Sequence, residues 1–99
     1  LPLFAAIFED HLDRKPVREA AMEAHLAWLA KHRGLVRMAG ALRPDTGGPA
    51  TGGLWIIETA NRAEAERICT EDPFYTAGLR KSFRLEAWSR GFPDEPVTI

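Results

Sequence analysis

The chain is poor in the residues that build several kinds of site. It has one cysteine, Cys69, which can form neither an internal disulfide nor a multi-thiolate zinc centre; a reducing, cytoplasmic setting is expected. No apolar run approaches the ~18–20 residues of a membrane span, and Leu1-Pro2-Leu3 carries no basic n-region, so neither a membrane association nor a signal peptide is expected. A basic surplus is also missing. Lys and Arg number 13 against 14 Asp and Glu, a formal net charge of −1, whereas a dedicated nucleic-acid binder concentrates positive charge. No internal repeat or low-complexity segment is present. The Gly47-Gly48 and Gly52-Gly53 pairs do not match a nucleotide-binding glycine pattern, and no cofactor is expected.

What remains is an ordinary globular composition, 45% hydrophobic and 27% charged over 99 residues, enough for one domain. We expect it over residues 1–90, with 91–99 an irregular tail rich in proline. A chain of this size buries only ~60–65% of the surface its unfolded form exposes, so a partner subunit would add much to its stability.

Leu3 to Phe8 reads as a strand with two apolar faces, buried on both. Pro16 suits a first helical turn, and good helix formers run from Val17 to about His32, before Gly34. At ~100° per residue the apolar arc of that helix is wide and has His25 near its middle. Leu35 to Leu42 reads as a second strand. Pro44 to Gly53 is a loop, and Leu54 to Thr59, β-branched and aromatic, a third strand. Asn61 with Glu64 has the form of a capping box, opening a helix whose stripe is Ala65, Ile68 and Cys69. Asp72-Pro73 interrupts it before a further helical turn over Phe74 to Leu79. Ser82 to Trp88 alternates as a fourth strand. The order βαββαβ is the ferredoxin-like α+β plan: a four-stranded antiparallel sheet with two helices on one face. The uncovered face still carries apolar groups, which two sheets packed face to face in a homodimer would bury.

Asp10, at the exit of the first strand, and His25, facing the sheet, are the pair with chemical potential. A carboxylate on one imidazole nitrogen fixes the tautomer and leaves the other as a general base or acid. The alternative is a structural histidine bonded to a backbone carbonyl. Asp72 before Pro73 is a standard helix start, or else a second carboxylate turned into the same cleft. Arg18 and Arg37 could hold an anionic ligand; Arg18 fits solvated surface better, whereas Arg37 lies in an otherwise apolar strand. Trp28, Trp55 and Trp88 fit core or dimer-face positions, with Trp28, one turn from His25, the candidate substrate contact. His25 and His32 lie ~10.5 Å apart along a helix, too far to share a metal ion, and no metal site is expected. Cys69 reads as inert core.

Together these segments resemble the YCII-related (YciI-like) family over about residues 3 to 88. The resemblance rests on a strand ending in Glu9-Asp10 fifteen residues before His25, on His25-Leu26-Ala27-Trp28-Leu29, on Gly40-Ala41-Leu42, and on Asp72-Pro73-Phe74-Tyr75 with Ala77-Gly78-Leu79. It implies a dimeric α+β barrel and a His25–Asp10 catalytic dyad. Two positions depart from the family pattern. Met22-Glu23-Ala24 stands where Arg-Pro-Ala usually precedes the histidine, and Gly52-Gly53 stands where a Gly-Ser pair often opens the third strand.

Three functions follow as expectations. The first is an isomerase- or lyase-like enzyme that moves a proton on a small cyclic or aromatic metabolite. The second is a non-catalytic metabolite-binding or regulatory dimeric module. The third, RNA binding through the sheet, needs a basic face with exposed aromatics and is disfavoured by the charge.

Overall fold

The computed structural model describes residues 1–92; most of the expected tail lies outside the described residues. The elements in chain order are β1 (Leu3–Asp10), α1 (Lys15–Lys31), β2 (Val36–Leu42), β3 (Gly52–Glu58), α2 (Arg62–Glu71), α3 (Pro73–Thr76) and β4 (Arg80–Trp88). The sheet runs β2-β3-β1-β4 and every pairing is antiparallel. This is the ferredoxin-like α+β arrangement expected from the element order.

Local chemistry accounts for the boundaries. Pro16 occupies the first turn of α1, where its missing N–H breaks no helical bond. Asn61 is extended and its side chain accepts from Glu64 N at 2.9 Å. Asp72 ends α2 in an extended conformation and its Oδ1 accepts from Phe74 N at 3.3 Å, so one residue stops one helix and caps the next.

The β1 side chains alternate between two layers. Phe4, Ala6 and Phe8 point toward the helices and join Trp55, Ile57, Leu85, Ala65, Ile68 and Cys69 in the core. On the opposite face Ala5 pairs with Ile56 and Ile7 with Leu54. Beside them Met38 pairs with Ile56. Met38 and Leu54 there are exposed large apolar side chains.

The α1 helix is covered far less than its apolar arc suggests. His25 is its one buried residue, and Leu26 is exposed. The helix stands off from β2 and β3, and the space between them is the cavity described below. Two register shifts aim particular side chains. Between β1 and β4, Glu9 faces Ser82 but Asp10 faces Arg80. Lys81 is therefore an extra residue on β4, a bulge of the kind that re-aims a neighbour. Between β2 and β3 the shift falls at Val36/Met38, which makes Arg37 the extra residue.

Candidate functional site

Three elements converge under α1. The helix brings Arg18 and His25, the end of β1 brings Asp10, the α2–α3 junction brings Asp72, and the bulged start of β4 brings Arg80. Asp10, His25, Asp72 and Arg80 are all buried. Their side chains form one chain of charged contacts. Arg18 Nη2 donates to Asp10 Oδ2, Arg80 Nη1 donates to Asp10 Oδ1 at 2.9 Å, and Arg80 Nη2 reaches Asp72 Oδ2 at 3.5 Å. Asp72 Oδ1 lies 2.6 Å from His25 Nδ1.

This corrects the expected pairing of His25 with Asp10. The carboxylate on the imidazole is Asp72, and Asp10 is reached only through Arg80 and Asp72. The cause is local: Asp10 is held between the two guanidiniums of Arg18 and Arg80, while the cap at the start of α3 fixes Asp72 beneath the ring. Asp72 starts α3 as a helix cap, and its Oδ1 also contacts the histidine; the carboxylate is not among the residues lining the cavity described below.

The imidazole is fixed on its faces as well. Phe74 stacks on it with ring centroids 3.7 Å apart and planes 6° from parallel, and Trp55 lies beyond at 6.5 Å. Nδ1 is the ring nitrogen taken up by the Asp72 carboxylate. Nε2 makes no hydrogen bond among the described residues, and the one fully buried side-chain polar atom without a partner among them is Nε of Arg80. His25 Nε2 therefore keeps an accessible surface.

That surface faces a cavity of about 190 Å³ whose walls include Arg18, Met22, Leu26, Trp55, Phe74 and Arg80. Gly52 and Gly53 complete it. Gly52 is required by close approach, because a Cβ there would fall 2.0 Å from Phe8 O. The ionisable residues of the wall are Arg18, His25 and Arg80, with the carboxylates behind them.

Arg37 and Trp28 lie elsewhere. Arg37, at the β2 bulge, is 3.7 Å from Glu58 Oε1. Trp28 packs against the core, its ring 4.0 Å from His32 and 5.5 Å from Trp55. Neither is among the residues lining the cavity with His25. His32 Nδ1 bonds the Trp28 carbonyl at 2.6 Å. Cys69 is buried in the core, and desolvation pushes its thiol up to about 12, opposed by the nearby Arg80 charge. Among the described residues no group of three or more His, Cys, Asp or Glu could hold a metal ion, and no helix is long and apolar enough to cross a membrane.

Strand periodicity gives no sign of Arg80, and Arg18 reads as solvated surface or as a holder of an anionic ligand. Strict alternation puts Arg80 in phase with Ser82 and Arg84, on the outer face; only the bulge turns it in. Arg18 could have been found from spacing. It lies seven residues before His25, two turns along the same helical face, and four before Met22, where the family usually has arginine.

An antiparallel sheet of this order, helices on one side and a buried histidine opening into a cavity beneath the first helix, define a small ferredoxin-like α+β domain with a preformed pocket. The YCII-related domain model matches residues 3–89, and the chain belongs to that family. Among solved structures it is similar to the 5-chloro-2-hydroxyhydroquinone dehydrochlorinase TftG from Burkholderia phenoliruptrix AC1100, determined in complex with 2,5-dihydroxybenzoquinone. The two are 28% identical over 90% of this chain and 95% of that one, with a TM-score of 0.81. Protein Atu4242 from Agrobacterium tumefaciens shares the fold at 13% identity, over 90% of this chain and 92% of that one, with a TM-score of 0.54. No curated protein matches the chain. The fold and the close match to an enzyme are consistent with a small-molecule enzyme.

Proposed function

We propose that this protein is a small-molecule enzyme in which His25 moves a proton on a cyclic or aromatic ligand, in an isomerase- or lyase-like reaction. The observation that carries this is the 2.6 Å contact of Asp72 Oδ1 with His25 Nδ1, which leaves Nε2 for the cavity. With its Nδ1 proton shared with Asp72, the neutral ring presents a lone pair at Nε2, and the carboxylate stabilises the imidazolium that forms when a proton is taken. The electron pair of the broken bond stays on the substrate. An isomerase returns the proton to another atom; a lyase releases a leaving group with its own electron pair. Asp10 acts at one remove in this reading, as a positioning residue that holds Arg80 and Arg18. The apolar aromatic wall suits a flat ring, and TftG, with its quinone ligand, supports that choice.

The functional unit in this proposal is a homodimer of the 1–90 domain, joined through the outer sheet face and working in the cytoplasm. The apolar residues Met38, Leu54 and Ile7 on that face support the pairing.

The test is incubation with 5-chloro-2-hydroxyhydroquinone and, separately, with 2,5-dihydroxybenzoquinone in D₂O. Halide release, or deuterium uptake at ring carbon, is expected for the natural chain and lost in His25→Gln. Ligand binding that raises the melting temperature equally in the natural chain and in His25→Ala, with neither reaction, would instead identify a binding or regulatory module.

A further inference from the structure

The cavity beside His25 does not end beneath the helix. Its floor on the β2–β3 side is made of small residues. Ala39 pairs with Trp55 and Ala41 with Gly53, and both alanines line the cavity together with Gly53. Above them on α1 stand Met22, Leu26 and Leu29. Leu26 is 56% exposed, so a large apolar side chain hangs over strands too small to fill the space beneath it. β2 is an edge strand, and no further strand among the described residues closes that side.

A second hollow, a groove of about 430 Å³ open to solvent, runs between the later part of α1 and β2. Its walls include Leu26, Leu29, Ala30, Val36 and Ala39. Leu26, Leu29 and Ala39 line both spaces, which therefore adjoin at a shared neck. Ala30 lines the groove and not the cavity, and it lies five residues beyond His25, roughly 7.5 Å of helical rise. The ionisable residues of the groove are Arg33 and Arg37. Arginine stems cover apolar surface while their heads stay in water, so the groove is apolar along its length. A surface laid on β2 from outside would cover the groove but leave the neck unused. The neck favours an occupant that starts in the cavity.

We infer that the ligand has two parts: a ring at His25, and an unbranched apolar arm of butyl to hexyl length that passes between Leu26 and Ala39 and lies along the groove toward Arg33. This rests on the proton-transfer reading for the position of the ring, and adds the substituent that the ring carries. Leu26, Leu29 and Ala39 are then specificity-determining residues that select ligands away from the reacting atoms. The arm is held alike in the ground and transition states, so its burial lowers KM and leaves kcat unchanged.

The test is calorimetric binding of 2,5-dihydroxybenzoquinone carrying a methyl, butyl or hexyl group at a ring carbon. Each methylene taken out of water is worth roughly fourfold in affinity, and with one side of the groove open the hexyl compound should bind about tenfold or more tighter than the methyl one. Ala30→Glu sets a charge in the groove at an exposed helical position, where glutamate is a good helix former. It should bring the hexyl-to-methyl ratio close to one. Ala39→Val narrows the neck and should lower the same ratio; circular dichroism checks that both variants fold. His25→Gln should keep the ratio, which separates the arm from the base. A ratio kept without proton transfer in the natural chain retires the catalytic reading and leaves the arm standing; proton transfer with equal affinities retires the arm alone. Leu54→Lys, on the outer sheet face, should also leave the ratio intact. No binding of any member, equal affinities across the series, a ratio that survives Ala30→Glu, or one lost in Leu54→Lys would overturn the inference.

Discussion

The chemical proposal rests at the residue scale on how one histidine is held. Asp72 contributes both to the cap of α3 and to the Nδ1 contact, and two substitutions separate these roles. Asn at position 72 can still accept from Phe74 N but removes the negative charge from the ring and from Arg80. Asp72→Asn should therefore keep the fold while lowering turnover by roughly 10²-fold or more, the lower range for loss of general base catalysis. Asp72→Ala should lose the cap as well and melt at a lower temperature. Steady-state kinetics beside thermal melts would read both; unchanged turnover in Asp72→Asn would contradict the orienting role.

Cys69 gives a prediction with a definite sign. Burial raises its folded-state thiol from 9.0 to about 12. The folded chain therefore holds the proton more tightly than the unfolded chain, and the stability this contributes is present below the ordinary thiol range and lost as pH climbs from about 9 toward about 12. Denaturant midpoints over that interval should fall more steeply for the natural chain than for Cys69→Ala. Parallel curves would mean that the thiol ionises freely in the fold. The same burial makes the native thiol slow toward alkylating reagents.

Elements decided which residues could be recognised from sequence. His25 was legible because a wide apolar arc on a long helix leaves little choice of buried face, and β1 because an all-apolar run has no solvent side. Asn61 and Asp72 were legible as caps because capping is local chemistry. Arg80 was not, since its inward aim depends on a one-residue bulge opposite Asp10, and strand periodicity carries no sign of a bulge. Arg37 stood out in an otherwise apolar strand, but its charge meets Glu58 on the neighbouring strand, away from the cavity that His25 lines. The Asp10–His25 pairing was inferred from proximity along strand and helix, and Asp72, 47 positions further along, became the partner only when the sheet closed. Two substitutions test the element boundaries. Asn61→Ala should cost about 1 kcal/mol through the lost cap. Gly52→Ala should cost about 3 kcal/mol, because its Cβ would be driven into the Phe8 carbonyl of the neighbouring strand. Chemical denaturation ranks them, and a Gly52→Ala chain as stable as the natural one would contradict the close β1–β3 approach.

For the molecule as a whole, the sheet has one face on the helices and another still rich in apolar side chains. Met38 is 54% exposed and Leu54 36%, and Ile7 lies opposite Leu54 across the strand pair. A homodimer through this face predicts sedimentation at twice the chain mass, and Leu54→Lys, a charge set at the centre of the patch, should shift the population to monomer without unfolding it. An unchanged mass in Leu54→Lys would place the contact elsewhere. The βαββαβ order and the two-sided first strand made this face visible from sequence. The cavity was not visible, because the same apolar residues of α1 that predict burial, Met22 and Leu26 among them, line an open space between helix and sheet.

The account depends most on which nitrogen of His25 carries the proton and what holds it there. Side-chain ¹⁵N NMR of the ring measures this directly. The proposal predicts a proton on Nδ1 held by the Asp72 carboxylate, loss of that bonded proton in Asp72→Asn, and its retention in Asp10→Asn. A ring protonated at Nε2 in the natural chain, or one that responds to Asp10→Asn and ignores Asp72→Asn, would contradict it.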